Sequence, residues 1–220
     1  MDYSYDGLHA AIRDHGYVSL NARPSISVSQ AMQELALYMG GAVVAGRGRR
    51  VLETLKTLRA DEAPLNSLSR FSGAGAQPWH IDGSHLPIPP RYLILGCHSI
   101  NGGGAPPTQL LRVKDAGFPL LASRRENFTV KNGRSSFYST IASTDRAWIR
   151  FDPACMTAHT EHGRTILEAL ESPQVQPCLT LEWTAGVILV VDNWTVLHRR
   201  GNASGIGHRT LLRISLKDWI

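Results

Sequence analysis

The sequence has little cysteine and no long apolar segment, and these two absences exclude several classes of protein. Its 220 residues include three cysteines, which stand far apart and form no Cys-x-x-Cys pair: Cys97, Cys155 and Cys178. An odd number of separated cysteines predicts neither a disulfide framework nor a thiolate zinc site, and it fits a reducing compartment. The longest apolar run, 186–191, is far too short to cross a bilayer, and residues 1–6 carry acid where a signal peptide needs base. We therefore expect a soluble, cytoplasmic protein that does not act at a membrane.

The signatures of several common enzymes are also missing. There is no internal repeat, phosphate-binding loop, dinucleotide fingerprint or Gly-x-Ser-x-Gly pattern. His159 and His162 flank Glu161, but the zinc-protease motif separates its histidines by four positions and places the glutamate directly after the first. We interpret these two histidines as surface residues.

The chain is basic, but its basic residues are spread thinly. The formal net charge is +5 and the isoelectric point is about 9.4. A basic face would attract phosphate, yet the densest groups, at 47–59, 124–125 and 199–200, are not interleaved with stacking aromatics. We therefore expect no nucleic-acid partner, and assign the charge to solvated faces or to the steering of small anions toward a cleft.

The distribution of apolar residues predicts the fold class. An apolar content of 43% is enough for one sizeable core, and no linker marks a boundary, so residues 1–220 are expected to form a single domain. Short β-rich runs bounded by turn residues occur at 92–98, 108–113, 178–183, 187–191 and 210–216. Helices are expected at 29–38, at 51–58 and around 166–170. This pattern predicts a mainly β protein with flanking helices, an antiparallel barrel or sandwich rather than a doubly wound parallel sheet.

The strongest local signal for chemistry is the segment Trp79-His80-Ile81-Asp82-Gly83. If residues 80–82 are extended, His80 and Asp82 point to the same face and can reach one metal ion. A third ligand, His198, follows the apolar run 187–191. Two histidines and one carboxylate leave three positions of iron(II) open for a bidentate co-substrate and dioxygen. By itself the His-x-Asp pattern fits a surface turn equally well, so the assignment depends on the segments that follow.

Three stretches, 67–85, 102–111 and 183–216, carry a family resemblance over less than half of the chain. They resemble the taurine dioxygenase and clavaminate synthase group of iron(II)/2-oxoglutarate oxygenases. The resemblance implies a double-stranded β-helix, the cupin-like jelly-roll form of the barrel, with Fe(II), 2-oxoglutarate as co-substrate, and O2. It also implies that Arg209 pairs with the distal carboxylate of 2-oxoglutarate and that Thr108 hydrogen-bonds the same group. A guanidinium suits this role because its planar fork matches a carboxylate and stays charged.

Two arginines and their neighbours are candidates for contacting the substrate. Arg213 has the same strand parity as Arg209, and in the resembling enzymes an arginine at this offset binds an anionic group of the substrate. The alternative is that Arg213 pairs with an acid on the barrel wall. Arg150 and Asp152 match a segment near the active-site mouth of amino-acid-hydroxylating relatives, although a strand end followed by a turn is the plainer interpretation.

Residues beside the metal motif allow two interpretations each. Trp79 and His85 could line the pocket, or the aromatic ring could pack against the ligand and fix its rotamer. Asp192 and Asn193 could brace the strand end that bears His198, or cap a turn.

The resemblance implies an enzyme that oxidises, typically hydroxylates, a small anionic molecule such as an amino acid or a natural-product intermediate, with release of succinate and CO2. Desaturation, cyclisation and epoxidation remain open, and Asp82 disfavours halogenation because halogenases normally lack that carboxylate. The alternatives are a non-redox metal-dependent isomerase or hydrolase and a non-catalytic binding protein on the same barrel. Arg209 and Thr108 count against the former, and the intact triad counts against the latter. With 79 residues before His80, we expect an open pocket or one covered by a partner in a homo-oligomer.

Overall fold

The computed structural model describes residues 6–40, 42–44, 50–56, 58, 60–63, 68–117, 122–143, 145, 148–172, 176–205 and 207–217. The α-helices in these ranges are α1 (Asp6–His15), α2 (Val28–Tyr38), α3 (Leu68–Ser72) and α4 (Glu161–Glu171). The strands are β1 (Tyr17–Asn21), β2 (Glu53–Lys56), β3 (Tyr92–Asn101), β4 (Thr108–Arg112), β5 (Phe128–Asn132), β6 (Ser135–Ser139), β7 (Met156–Ala158), β8 (Leu179–Leu181), β9 (Val187–Asp192), β10 (Val196–Arg200) and β11 (His208–Leu216). None of these helices is long and apolar enough to span a membrane.

The strands form three antiparallel sheets. The first has the order β1-β9-β3-β11-β2, the second β10-β4-β8 and the third β6-β5-β7. Partners are distant in sequence, since β1 pairs with β9 and β2 pairs with β11. Residues from both ends of the chain therefore meet in the first sheet.

The strands at the centre of the first sheet are buried on both faces. Leu93, Leu95 and Leu189 enter the core between the first two sheets, whereas Ile94 and Val190 belong to the core shared with α1 and α2. Successive side chains of a strand point to opposite faces, so each strand contributes to two cores. This explains why 187–191 is a continuous apolar run.

Helix α2 lies against β3 and closes the outer face of the first sheet. Its N-cap is Ser27, whose Oγ accepts a hydrogen bond from the backbone N–H of Gln30 at 3.2 Å. Met32 is fully buried beneath the helix, facing Gly96 of β3. A Cβ at position 96 would lie 2.3 Å from Met32 Sδ, so this position requires glycine if the helix is to approach so closely.

A third core lies behind the second sheet. It joins Leu111 of β4 and Leu197 of β10 to Phe128 of the third sheet and to Ile166 and Leu170 of α4. The side chains of β10 thus alternate, with Leu197 facing this third core and Val196 facing the core between the sheets. His198 has the parity of Val196 and points between the two sheets.

The structure confirms the predicted fold class, a mainly β protein with flanking helices. Helices are present at 28–38 and 161–171, as expected for two of the three helical segments. The predicted helix at 51–58 is wrong, because residues 53–56 form the edge strand β2. Glu53 and Leu55 are half-buried while Thr54 and Lys56 are exposed, which is the two-residue period of a strand pairing with β11.

Candidate metal centre and co-substrate pocket

His80, Asp82 and His198 lie together in the fold as the sequence predicted, and each offers one ligand atom within 4.8 Å of the other two. The Nε2 atoms of His80 and His198 are each 3.8 Å from Asp82 Oδ1. Both imidazoles are buried, and Asp82 is nearly so. The three side chains therefore surround one point between the sheets.

The backbone fixes the separation of the two histidines. The N–H of His80 donates to the carbonyl of His198 at 3.1 Å, and the N–H of His198 donates to the carbonyl of His80 at 2.9 Å. This reciprocal pair is an antiparallel bridge that extends the second sheet beside β10. The residues at such a bridge lie side by side, which brings the two imidazole rings to 4.4 Å between centroids.

Asn193 holds the backbone of the carboxylate ligand. Its Oδ1 accepts from the N–H of Asp82 at 2.8 Å, and its Nδ2 donates to the carbonyls of Asp82 at 3.0 Å and Pro90 at 2.8 Å. The side chain has no exposed surface. The predicted brace thus acts on Asp82, and it also ties the turn between β9 and β10 to the segment after His80.

Gly83 lets the chain turn directly after the carboxylate ligand. Its φ is +73°, a left-handed conformation that favours glycine, and a Cβ there would lie 2.4 Å from Pro90 Cδ. Pro90 therefore packs directly against the turn at Gly83, and its carbonyl also accepts a hydrogen bond from Asn193.

The protonation states suit metal binding. His80 Nδ1 lies 3.0 Å from the carbonyl of Pro78, so Nδ1 carries the proton and Nε2 presents its lone pair. Burial, and next the neighbouring His198, lower the pKa of His80 to about 3, which keeps the imidazole neutral. Burial alone would raise the pKa of Asp82, but Arg213 and the two imidazoles hold it well below its ordinary value. The centre therefore offers the neutral Nε2 of His80 and the ionised carboxylate of Asp82, with Nε2 of His198 beside them.

These residues fit a divalent iron ion. The donor set is two imidazoles and one carboxylate from one side, the arrangement that non-haem iron(II) oxygenases use. Among the described residues, Nδ1 of His198 is buried without a hydrogen-bond partner.

A cavity of about 890 Å³ opens from the metal centre along β11. Four residues at alternate positions of this strand, with side chains on the same face, line the cavity: Arg209, Leu211, Arg213 and Ser215. The predicted shared face of Arg209 and Arg213 is thus confirmed. The β-bulge in the pairing with β3 leaves this parity intact because the extra residue, His98, lies on β3.

Arg209 and Thr108 lie on facing inner strands of this cavity. Arg209 is 6% exposed and donates to the carbonyl of Pro106, and none of the ion pairs between described residues includes it. Burial lowers the pKa of Arg209 to about 9, so the charged guanidinium lacks compensation in the fold. Trp183 Nε1 donates to Thr108 Oγ1 at 2.9 Å, which leaves the hydroxyl proton of Thr108 to be donated elsewhere. Together they place a guanidinium and a hydroxyl donor on facing walls of the cavity.

Solved structures with the same architecture are metal-dependent oxygenases. An asparagine oxygenase in complex with Fe(II), 3-hydroxyasparagine and succinate superposes with a TM-score of 0.71 at 16% identity, covering 97% of this chain and 79% of that one. PvcB, an Fe, alpha-ketoglutarate dependent oxygenase, gives 0.68 at 17% identity, with 98% and 80% covered. A taurine dioxygenase from Burkholderia xenovorans gives 0.67 at 16% identity, with 98% and 82% covered. The chain has the fold of these oxygenases. No protein-family model and no curated protein matches the sequence.

On this oxygenase fold, Arg213 is occupied by two acids. Its Nη1 donates to Asp82 Oδ2 at 2.6 Å, and its Nη2 and Nε donate to Glu53 Oε2 at 2.6 and 3.0 Å. Glu53 lies directly opposite Arg213 in the register of β2 and β11. The geometry therefore favours pairing with acids of the barrel wall, one of which is a metal ligand.

Arg150 and Trp79 are packed away from the cavity, contrary to their predicted roles in substrate contact. Arg150 is 1% exposed and donates to the carbonyls of Ser84, Leu86 and Pro87. It thereby holds the segment after Asp82 in place, because three carbonyls take up its donors. Trp79 is 2% exposed and belongs to the third core, as the packing interpretation proposed.

Asp152 does line the cavity, and so does His85. Asp152 Oδ1 accepts from the N–H of Ala154 at 2.8 Å. Burial raises the pKa of Asp152 to about 6, and the nearby carboxylate of Asp82 adds to the effect. A carboxyl kept in such an environment is a candidate for a functional contact.

Sequence reasoning missed two residues of the site. Glu53 was hidden by the wrong helix at 51–58, which concealed its strand parity. Trp183 stands at the start of the resembling stretch 183–216, but only the register of β4 against β8 brings its indole to Thr108. His159 contacts Thr129 Oγ1 at 2.7 Å and His162 is exposed, so both lie outside the site.

Proposed function

We propose that the protein is an iron(II)/2-oxoglutarate-dependent dioxygenase that oxidises a small molecule. The observation that carries the proposal is the pairing of a His-Asp-His centre with an uncompensated buried arginine in one cavity. Iron(II) bound by these residues would supply the oxidising chemistry with 2-oxoglutarate and O2, and succinate and CO2 would be the co-products. The residues of this chain bind the metal and co-substrate, position the substrate and exclude water.

The co-substrate roles follow from the contacts of the facing strands. His80, Asp82 and His198 are the proposed metal ligands. Arg209 receives the distal carboxylate of 2-oxoglutarate, because a bound anion compensates its buried charge. Thr108 donates its hydroxyl proton to the same carboxylate, oriented by the indole N–H that it accepts. A non-redox metal enzyme on this barrel would have no use for this anion receptor.

The substrate is proposed to be a small anionic molecule of the amino-acid or natural-product class, and hydroxylation is the proposed outcome. The asparagine oxygenase was solved with a hydroxylated asparagine, and OrfP with (3S)-hydroxy-L-Arg. Six cationic side chains line the cavity against three carboxylates, which favours anionic ligands: Arg50, Lys56, Arg199, Arg200, Arg209 and Arg213 against Glu53, Asp82 and Asp152. A substrate anion would reach Arg213 by displacing Glu53, while Asp152 is placed to meet a substrate ammonium group.

We also propose that residues 1–220 act as one cytoplasmic domain. The three cysteines are free thiols, which fits a reducing compartment. The core between the first two sheets combines strands from the middle and the end of the chain, so neither half could bury its apolar faces alone.

The test is an anaerobic titration of the iron(II)-loaded protein with 2-oxoglutarate. We expect one iron per chain and a weak visible charge-transfer band from the chelated keto acid. His80→Ala, Asp82→Ala and His198→Ala should each abolish the band and lower the metal content measured by elemental analysis. His85→Ala is the matched control, because that histidine lines the same cavity outside the triad. Full iron binding by any two of the three ligand variants would overturn the assignment.

A further inference from the structure

A second cavity lies on a different side of the fold. It has a volume of about 660 Å³ and shares no lining residue with the cavity of the metal centre. Its walls are the C-terminal end of α1, the segment 112–114 that follows β4, and the turn 192–195 between β9 and β10. This volume is in the range of small-molecule sites, which are commonly apolar with a few placed polar groups.

Apolar side chains form the floor of this second cavity. Ile12, Val113 and Ile149 are buried there, and the half-buried rings of Trp148 and Trp194 complete the lining. Trp194 is held in place, since its Nε1 donates to the carbonyl of Pro89 at 3.0 Å. Arg91 stacks over the ring of Trp194 and Arg150 over that of Trp148, so each indole keeps one face for an aromatic or other planar apolar group.

The charged residues of the lining are mostly cationic, with four cations against two carboxylates: Arg13, Arg112, Lys114 and Arg124 against Asp14 and Asp192. Arg13 pairs with Asp14, and Arg112 pairs with Asp115. Asp192 accepts from the backbone N–H of Trp194 at 3.1 Å. The remaining cations have no acid partner among the ion pairs of the described residues, which leaves the cavity positively charged.

Arg124 is the decisive residue. It is half-buried, lines the cavity, and has a buried Nε that finds no hydrogen-bond partner among the residues that the structure describes. A buried guanidinium N–H without an acceptor is costly, and an anionic ligand would satisfy it.

We propose that this second cavity is a binding site for a small amphipathic anion, a molecule with a planar apolar body and a carboxylate, sulfonate or phosphate head group. The body lies between the two tryptophans and the aliphatic floor, and the head group meets Arg124 and Lys114. The site is separate from the metal centre, so this inference does not depend on the proposed oxygenase activity.

The experiment titrates the full-length, iron-loaded protein with 8-anilinonaphthalene-1-sulfonate, an aromatic sulfonate, with saturating 2-oxoglutarate present to fill the metal cavity. We expect one molecule of the probe to bind per chain. Binding is measured by the fluorescence of the probe and by energy transfer from tryptophan. Arg124→Gln should weaken binding about ten-fold, the loss expected for one charge-assisted hydrogen bond. Arg125→Gln is the matched control, because this neighbouring arginine is exposed and lies outside the lining. Lys114→Gln should give a smaller loss.

Competition identifies the chemistry of the ligand. Phenylacetate and phenyl phosphate should displace the probe, whereas benzyl alcohol should not displace it. The relative affinities of the two anions identify the preferred head group. The Arg124→Gln variant should have the melting temperature of the parent, because the side chain of Arg124 makes no hydrogen bond or ion pair with the residues that the structure describes. Equal affinity in the Arg124 and Arg125 variants, or equal displacement by benzyl alcohol, would each overturn the proposal.

Discussion

The pairing of Arg213 with Asp82 and Glu53 allows a prediction that needs no knowledge of the substrate. Arg213→Met removes three charge-assisted hydrogen bonds of 2.6, 2.6 and 3.0 Å and leaves two carboxylates facing each other. The side chains are 22%, 15% and 17% exposed for Arg213, Glu53 and Asp82, so water can recover only part of the loss.

The magnitude follows from these contacts. Breaking a buried ion pair costs about 3–5 kcal/mol, and the residual exposure places this cluster near the lower limit, about 3 kcal/mol. For a chain of this size each kcal/mol lowers the melting temperature by about 2–4 °C, so we expect a loss of roughly 6–12 °C in the metal-free protein. Glu53→Gln removes one carboxylate but leaves the bond from Arg213 to Asp82, and it should cost about 1 kcal/mol.

The assay is a double-mutant cycle of melting curves at pH 7.5. The double variant should lose less than the sum of the single losses, with a coupling of about 1–2 kcal/mol, because Arg213→Met in the Glu53→Gln background leaves one buried carboxylate instead of two. Arg125→Met, at an exposed position, is the control. If Arg213→Met costs no more than the control, or if the cycle shows no coupling, the reasoning from this cluster is refuted. Once a substrate is known, Glu53→Gln should also lower its KM.

Three further predictions concern the metal centre and its cavity. Arg209→Ala should weaken 2-oxoglutarate by about 2–5 kcal/mol, roughly thirty-fold to several-thousand-fold, and Thr108→Val by about 1 kcal/mol, with iron retained; calorimetric titration measures both, and unchanged affinity in the arginine variant would move the anchor elsewhere. Asp152→Asn should stabilise the metal-free protein by roughly 3 kcal/mol at pH 8, because the fold raises the pKa of Asp152 to about 6 from near 3.9 and so penalises the carboxylate above pH 6. That gain should decline as the pH falls from 6 to 4 and vanish below about pH 3, where the carboxyl is protonated in both states, and a gain independent of pH would contradict this cause. Asn193→Asp should lower iron(II) affinity and the melting temperature, since two donated hydrogen bonds become repulsions; an unchanged metal content would show that the clamp does not position the ligand.

Local sequence patterns predicted the central strands well. The runs at 92–98, 187–191 and 210–216 lie within β3, β9 and β11. The run in β9 is continuously apolar because that strand is buried on both faces. The hairpin of β5 and β6 was missed although it carries a local signal, Asn132-Gly133 between two short strands. The edge strand β2 was assigned as a helix because it has only four residues, too few to show the two-residue period of a strand in the sequence.

The metal ligands could be predicted because strand parity and family resemblance can both be recognised within short segments of sequence. The roles of Arg150 and Arg213 could not, because they depend on what lies across the barrel. Arg150 meets three carbonyls more than sixty positions away in the chain, and Arg213 meets Glu53 160 positions away. No local pattern contains such a partner, so strand parity showed that Arg213 faces the cavity but not that two acids already hold it.

The reciprocal backbone bonds between His80 and His198 have a consequence for how the centre acquires its metal. Because main-chain pairing sets the spacing of these two ligands, their geometry is completed by folding and does not wait for an ion. We expect metal to bind to a site that is already formed. Which ion binds then depends on the ions that the surroundings supply and on the width of the cavity entrance. We therefore expect that a chelator can empty such a centre, and that iron or another divalent ion can refill it, while the chain stays folded.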